Sequence, residues 1–192
     1  MDRESWIREQ LKLTHIDTKD IPNIELYMDQ VTTFMDKKLK SEKRYPDDKI
    51  MTMINNYVKN KLMPPPVKKR YSKNHLIMIV FIYYMKNFLT MADIKAITGP
   101  LMNDYYMKDS EDDISLEDIY STIIDSFSEQ SSIVADDIIK TYHQAKTLFE
   151  DENLSQQESD YLEDFSFICY LAYDIYLKKQ LMEKLIDKME EN

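Results

Sequence analysis

The chain has 192 residues, a formal net charge of −10, one glycine and one cysteine. A single glycine excludes the glycine-rich phosphate loops of nucleotide-binding enzymes, and a single cysteine excludes an internal disulfide, as expected in a reducing cytoplasm. Hydrophobic residues make up 43% of the chain, so it can bury a core, and the scarcity of glycine predicts an all-α fold. The charged N-terminus and the lack of an 18-residue uncharged run predict a cytoplasmic protein without a membrane partner.

Charge is distributed unevenly along the chain. Residues 49–92 carry eight Lys or Arg and no Asp or Glu, whereas residues 93–192 carry eight bases and 24 acids. An acid-free basic segment in an acidic protein indicates a face that meets a polyanion. The simpler interpretation of any one lysine is a solvated surface residue, but eight bases without one acid favour a binding surface. The basic segment comprises Lys49, Lys59, Lys61, Lys68, Lys69, Arg70, Lys73 and Lys86.

The first hundred residues predict several helices. An amphipathic helix is expected over residues 2–13, and a longer one from an N-cap at Asp20 to Leu39, with Pro22 tolerated in its first turn. A polar link of residues 40–48 precedes a third helix from Asp48 to about Asn60. The apolar stripe of the second helix comprises Ile24, Tyr27, Met28, Val31, Phe34, Met35 and Leu39.

The chain then changes character. Three prolines, Pro64 to Pro66, enforce an extended exit from the third helix, and residues 67–71 favour a short β-like segment. Ser72 is expected to cap the next helix, and Thr90 with Asp93 resembles a capping box that starts another over Met91–Ile97. Gly99-Pro100 should stop or sharply bend that helix.

The acidic half predicts three more helices, near Ile114–Ser128, Ile133–Glu150 and Gln156–Met189. In the last, apolar residues recur with a 4-3 spacing interrupted by Lys179, which suits a dimerising helix or, more simply, the core helix of a bundle. We therefore predict two domains, residues 1–100 and 101–192. The 4-3 series is Tyr161, Phe165, Ile168, Ala172, Ile175, Met182, Ile186 and Met189.

No catalytic, cofactor or metal motif is present in the sequence. The three histidines (His15, His75 and His143) are isolated, which is typical of structural or solvated side chains. The acidic run from Asp109 lacks the glycine and terminal glutamate of a calcium loop. We expect a protein that is not an enzyme and that has no cofactor.

The basic segment instead has the chemistry of a DNA-binding helix. Two helices joined by a turn can place the second in the major groove, where asparagine hydrogen-bonds adenine edges and lysine meets phosphate or guanine. Asn55, Asn56 and Lys59 lie on such a second helix. The run Lys68 to Tyr71, with Ser72 and the following helix N-terminus, would lie against backbone phosphates.

Two resemblances extend this interpretation. The parts Ile54-Asn55-Asn56-Tyr57, Leu62-Met63-Pro64-Pro65, Arg70-Tyr71-Ser72 and Leu89 to Ile94 resemble the winged helix-turn-helix of MerR-type transcription regulators. Over residues 20–100 the chain more closely resembles a bacterial family of unknown function, the YkrK-like group, through the same tyrosine-proline core and the helix from Ile21 to Val31. Together they imply an all-α, MerR-like helix-turn-helix domain with an additional acidic C-terminal helical bundle.

The MerR resemblance also implies roles for individual residues. The second helix would read or grip DNA through Thr52, Asn55, Asn56, Tyr57 and Lys59, and the wing would grip phosphate through Lys68, Lys69, Arg70 and Tyr71. Lys73 would hold a further phosphate. The chain departs from that family's pattern, because Asn55-Asn56-Tyr57 replaces Arg-Tyr-Tyr, Lys61 replaces a glycine, and the wing is truncated.

The function expected from the sequence is DNA-binding transcription regulation. Double-stranded DNA is the expected partner, with a homodimer formed through the C-terminal helix. The alternative is a non-catalytic helical protein–protein interaction module with an inherited helix-turn-helix fold, in which the acidic helices from Ile114 onwards dock a basic partner. The two differ in whether the eight bases form one uninterrupted face without an acidic C-terminal helix packed over it.

Overall fold

The computed structural model describes residues 2–11, 15–39, 50–108, 113–150 and 152–191, with the side chain of Ser128 left out. The predicted polar link, the first residues of the third helix and most of the acidic run from Asp109 lie outside these ranges. The described chain is mostly helical, with two short strands, which confirms the mainly α class. Its helices are α1 (Arg3–Gln10), α2 (Met28–Leu39), α3 (Ile50–Lys59), α4 (Lys73–Met85), α5 (Met91–Pro100), α6 (Leu116–Lys146) and α7 (Gln156–Glu190).

The two strands are β1 (Leu26–Tyr27) and β2 (Arg70–Tyr71), which pair antiparallel with Leu26 opposite Tyr71. Short 3-10 turns cover Thr18–Asp20 and Thr147–Phe149, and a π-helical turn covers Leu101–Tyr105. None of the helices in the described ranges combines the length and the apolarity that a bilayer crossing requires, α6 and α7 included.

Two compact units share the chain. One comprises residues 1–13 and 127–184, and the other comprises residues 14–126 and 185–192. The predicted division at residue 100 falls inside the second unit. At Gly99-Pro100, where the sequence predicts a stop or a sharp bend, the chain stays helical: α5 runs through Pro100 directly into the π-helical turn. A proline removes one backbone donor, and a π-turn accommodates that loss without ending the helix.

The second unit is built around α4. Six consecutive residues, His75 to Val80, are buried, and so is Ile82. A helix that is apolar on all sides is the centre of its unit. The same unit contains α2, with Val31, Met35 and Leu39 buried, which contacts α3. At the start of α6, the Tyr120 ring meets Phe81 of α4 edge-to-face, 5.3 Å between centres. Tyr120 of α6 donates its hydroxyl hydrogen to the carbonyl of Ile16.

The first unit has its own small core. Ile7 of α1, Tyr142 of α6 and Phe167 of α7 pack together with Ile139 and Ala145. Salt bridges fix α1 against the two long helices: Arg3 lies 2.6 Å from Asp164 and Arg8 lies 2.6 Å from Asp136. These pairs are exposed, so they orient α1 more than they stabilise it.

The start of α2 corrects a prediction. The helix begins at Met28 and not after Asp20, because residues 21–25 form an irregular, bent segment that leads into β1. The Tyr27 backbone N–H donates to the Gln30 side chain at 2.9 Å, which caps the helix at this point. Ile24 and Tyr27, expected in the core stripe, are therefore exposed.

The two helices predicted over residues 114–150 are one continuous helix of 31 residues, α6. Serines between them could compete for backbone hydrogen bonds. In the structure Ser126 donates to the carbonyl of Ile123 at 2.7 Å and Ser131 to that of Phe127 at 2.6 Å. The hydroxyls are thus satisfied within the helix, and the helix continues. The capping boxes at Thr90 and Ser155 are confirmed.

Candidate nucleic-acid interface

Helix α3 has one buried and one polar face. Ile50, Ile54 and Tyr57 are buried, and at 100° per residue they define a single stripe. The residues on the opposite side are all exposed and polar, with two amides, one hydroxyl and one ammonium group: Thr52, Asn55, Asn56 and Lys59. No hydrogen bond or ion pair ties these side chains to other described residues. The face is therefore available, and its groups suit base edges and phosphates.

The end of α3 is closed by a lysine in a position that favours glycine. Leu62 N–H donates to the carbonyl of Tyr57 at 2.9 Å and Lys61 N–H to that of Val58 at 3.1 Å. This pair of bonds is the Schellman motif, and its left-handed residue is Lys61 with φ of 58°. Lysine here costs backbone energy that glycine would not, since its Cβ approaches the next carbonyl.

Two more left-handed lysines form the turn before β2. Val67 and Arg70 pair antiparallel, and Arg70 N–H donates to the carbonyl of Val67 at 2.9 Å. The two residues between them, Lys68 and Lys69, have φ of 50° and 66°. Positive φ at both central residues of a two-residue hairpin is the signature of a type I′ turn, which favours Asn-Gly. We call residues 67–70 the lysine turn.

The lysine turn lies where the sequence predicts a truncated wing. Both lysine side chains at its tip are exposed, and neither forms an ion pair among the residues that the structure describes. Non-glycine residues held at positive φ cluster at functional sites, because the surrounding structure must compensate for the strain. Two adjacent strained lysines in an exposed turn indicate that the charge at this position matters.

Arg70 is partly engaged within the chain. Its guanidinium lies 3.2 Å from the Glu25 carboxylate and 5.7 Å from the centre of the Tyr27 ring. About half of the side chain is exposed, so both contacts are with solvent-accessible groups and are weak. Arg70 can meet a phosphate only in competition with Glu25.

Three predicted contact residues need correction. Tyr57 is 0% exposed and Tyr71 is 3% exposed, so both are core residues and neither reaches DNA. Their positions follow from the stripe of α3 and from the inward side of β2. Lys73 lies 2.6 Å from Glu117 with only 17% of its side chain exposed, so its charge is neutralised within the unit.

Beneath the basic segment lies a buried histidine. Ser72 N–H donates to His75 Nδ1 at 3.0 Å, which makes His75 the partner in the capping box at the start of α4. The rings of Tyr71 and Tyr106 meet the imidazole edge-to-face, each 5.5 Å away between centres. Burial lowers the pKa of His75, against the opposing influence of the Pro65 and Pro64 carbonyls and of Glu25. His75 is thus a neutral structural residue, as the sequence indicated.

Acidic side chains from other parts of the chain lie beside the basic segment. Glu25 and Glu117 come from outside residues 49–92 and neutralise Arg70 and Lys73. Sequence reasoning missed both because each pairing joins distant parts of the chain. The basic residues that remain exposed without an ion pair, among those described, are Lys59, Lys61, Lys68 and Lys69. The described residues contain no group of three or more metal-ligating side chains.

One comparison with known proteins gives a match. A family model described as "Domain of unknown function (DUF1836)" matches residues 16–123, more than half of the chain. The matched residues include the exposed face of α3, the lysine turn and α4, and they lie within one compact unit. No match was found among curated proteins or among solved structures. The chain belongs to this family of unknown function.

Proposed function

We propose that this DUF1836 family member is a DNA-binding transcription regulator without catalytic activity. The observation that carries the proposal is the polar face of α3, which is exposed, acid-free and followed by two exposed lysines in a strained turn. Asn55 and Asn56 would contact base edges in the major groove, and Lys59, Lys68 and Lys69 would contact phosphates. Thr52 would contribute a hydroxyl at the same surface.

The MerR-like helix-turn-helix arrangement is itself part of the proposal. A helix-turn-helix joins its two helices by about three or four residues. The described part of α2 ends at Leu39 and that of α3 begins at Ile50, and residues 40–49 between them lie outside the described ranges. The likeness to MerR-type regulators rests on sequence parts in α3, in the proline exit, in Arg70-Tyr71-Ser72 and in Leu89 to Ile94. The α3 face can enter a groove with any connection that leaves it exposed.

The charge of the whole chain sets the orientation of a complex. The C-terminal hundred residues carry 24 acids against eight bases, so phosphates are repelled there and attracted to residues 49–92. At physiological salt the screening length is about 8 Å, so the local charge around α3 and the lysine turn decides binding.

The test is a selection of bound duplexes from a random-sequence pool, followed by affinity measurements on the selected duplex and on a scrambled one. Asn55→Ala should reduce the preference for the selected duplex, since a bidentate asparagine–adenine contact is worth about 1–3 kcal/mol of discrimination. Lys59→Ala should weaken binding to both duplexes by the same factor. Lys140→Ala, an exposed lysine on α6, is the matched control and should change neither.

The interaction-module alternative makes the opposite prediction. It requires no duplex binding at any salt concentration, and it places the functional surface on the acidic helices. A selection that enriches no sequence would contradict sequence-specific binding. If a duplex is selected but Asn55→Ala weakens binding to the selected and the scrambled duplex by the same factor, the role assigned to Asn55 is wrong.

A further inference from the structure

Helix α7 is apolar on two opposite faces. One face packs into the core of its unit through Phe167, which is 8% exposed. The other face is open, and its aromatic and aliphatic side chains are about half exposed or more, with Ile168 at 62%. A helix that is apolar on both sides is covered on both sides in its functional state. A continuous apolar patch of this kind on a free surface marks an interaction site.

The open face has the spacing of a coiled coil. Its residues recur at intervals of four and three, which keeps them on one side of a helix that supercoils with a partner. They span about 27 Å at 1.5 Å per residue. We call them the seam: Tyr161, Phe165, Ile168, Ala172, Ile175 and Lys179. All six belong to the same compact unit.

We propose that the seam pairs with the seam of a second copy of this chain, with the two helices antiparallel and the two-fold axis near residue 170. This proposal concerns assembly and stands independently of nucleic-acid binding. A second copy of the chain suits this surface because the seam is complementary to itself in charge and in side-chain size. This complementarity exists only when the two helices are antiparallel.

Charge decides the direction. Between residues 156 and 174, helix α7 carries five carboxylates and no lysine or arginine, whereas lysines begin at Lys178 and Lys179. A parallel pair would place the acidic halves side by side and Lys179 directly against its own copy. An antiparallel pair places each acidic half beside the lysines of the other copy, which is attractive. The carboxylates are Glu158, Asp160, Glu163, Asp164 and Asp174.

Side-chain size agrees with the same register. With the axis near residue 170, Phe165 of one copy packs against Ile175 of the other, and Ile168 packs against Ala172. In these two layers a larger residue thus meets a smaller one, as interdigitated packing requires. In a parallel pair Ala172 would meet Ala172 and leave a void.

The flanks of the seam complete the arrangement. On one flank Asp164 faces Lys178 of the second copy. Both side chains are about half exposed or more, although within its own chain Asp164 pairs with Arg3 and Lys178 pairs with Asp174. On the other flank Leu162 faces Tyr176 of the second copy. An apolar groove of about 400 Å³ opens on that flank, and the incoming Tyr176 would cover it. The groove is lined by Leu148, Phe149, Leu162, Phe165, Ser166, Cys169, Tyr170 and Tyr173.

The area available fits a modest dimer. Five half-exposed apolar seam residues and Tyr176 offer roughly 100 Å² each, so about 1,200 Å² in total would be buried, the lower end of the range for specific interfaces. The monomer–dimer equilibrium should therefore depend on protein concentration in the accessible range. A variant that places a charge in the middle of the seam should shift the monomer–dimer equilibrium fully to the monomer.

The register has a direct reporter, because Cys169 is the one cysteine of the chain and is exposed. In the antiparallel register Cys169 lies on the flank beside the two-fold axis and faces Cys169 of the second copy. In a parallel pair the two cysteines lie on opposite flanks. A short bis-maleimide should therefore convert the full-length chain to a covalent dimer in denaturing electrophoresis.

The experiment combines this cross-linking with molar mass from light scattering at several concentrations. Wild-type protein should be dimeric and cross-linked. Ile168→Glu should be monomeric and not cross-linked, with unchanged circular dichroism because Ile168 is exposed in the protomer. Leu181→Glu is the matched control, since Leu181 is 59% exposed on the same helix but outside the seam, and it should remain dimeric.

Three results would overturn the proposal. A wild-type protein that stays monomeric at high concentration would show that the seam does not pair with a second copy of the chain. A dimer that survives Ile168→Glu would place the interface elsewhere. A dimer that Ile168→Glu abolishes but that does not cross-link through Cys169 would refute the antiparallel register. None of these measurements involves DNA, so their failure is distinct from failure of the proposed function.

Discussion

The lysine turn offers a perturbation that separates stability from binding. Replacing Lys68 by Asn and Lys69 by Gly installs the sequence that a type I′ turn favours and removes two positive charges. Left-handed backbone costs a residue with a Cβ about 1–2 kcal/mol, and glycine recovers this at the expense of about 0.5–1 kcal/mol of unfolded-state entropy. Asparagine tolerates the same conformation. The net expectation is a stabilisation of about 1 kcal/mol.

In a chain of this size such a gain raises the midpoint of thermal unfolding by about 2–4 °C. The same double substitution should weaken DNA binding and reduce the slope of log affinity against log salt by about 1.8, since each phosphate contact contributes about 0.9. Differential scanning calorimetry gives the first quantity and fluorescence anisotropy gives the second. A protein that is more stable and binds DNA more weakly is the expected result.

The matched variant replaces both lysines by glutamine. It removes the same two charges and keeps the backbone strain, so it should weaken binding equally without raising the unfolding midpoint. If the Asn-Gly variant is less stable than the wild type, the turn is not of type I′. If it is more stable and binds DNA with an unchanged salt slope, the two lysines do not contact phosphate.

Three other substitutions test the structure. Lys61→Gly should stabilise the protein by up to about 1 kcal/mol in urea unfolding, because it relieves the left-handed residue that ends α3. Glu117→Ala should destabilise it by about 1–3 kcal/mol, because the largely buried ammonium group of Lys73 loses its partner. His75→Gln should keep the capping box with Ser72 and flatten the dependence of stability on pH. In the wild type the pKa of His75 is lowered in the folded state, so its contribution is complete above about pH 6.5 and is lost as pH falls below that value.

Each of these has a contrary outcome. The exposed pair of Asp174 and Lys178, 2.7 Å apart, is the control for burial, and Asp174→Ala should change the unfolding free energy by less than about 1 kcal/mol. An equally small effect of Glu117→Ala would mean that Lys73 finds water or another partner. A pH profile of His75→Gln parallel to that of the wild type would assign the acid sensitivity to other groups. Destabilisation by Lys61→Gly would mean that the lysine side chain contributes contacts beyond its backbone.

Local sequence signals predicted the elements well where they acted within a few residues. The capping boxes at Thr90 and Ser155, the cap at Ser72 and the β-like segment at residues 67–71 rest on neighbouring residues, and the structure confirms them. The polar and buried faces of α3 follow from a 3.6-residue period in the same way.

The wrong predictions concern residues whose structure depends on contacts with distant parts of the chain, which a local sequence pattern does not contain. Residues 21–27 have the apolar spacing of a helix, yet they are not helical, and Leu26 pairs with Tyr71, far along the chain. Tyr57 and Tyr71 were assigned to DNA through a family resemblance, whereas burial takes both rings into the core. The neutralisation of Lys73 by Glu117 joins residues 44 positions apart, and no charge count of residues 49–92 could show it.

The positive φ angles of Lys61, Lys68 and Lys69 could not be predicted from the sequence, for a different reason. Glycine is the usual signal for positive φ, and this chain places lysine at all three such positions among its described residues. The substitution of lysine for glycine at residue 61 was visible only through the family resemblance. Three lysines of the basic segment therefore adopt a conformation that glycine would adopt at a lower backbone energy.

The central claim is that α3 and the lysine turn bind DNA, and the salt dependence of duplex binding tests it most directly. We expect the affinity of the full chain in anisotropy titrations to fall linearly on a log-log plot against salt, with a slope near −2.7 per protomer for three contacts made by Lys59, Lys68 and Lys69. Replacing Lys59, Lys68 and Lys69 by glutamine should reduce that slope by about 2.7. The absence of binding at low salt, or a slope that this triple substitution leaves unchanged, would contradict the account.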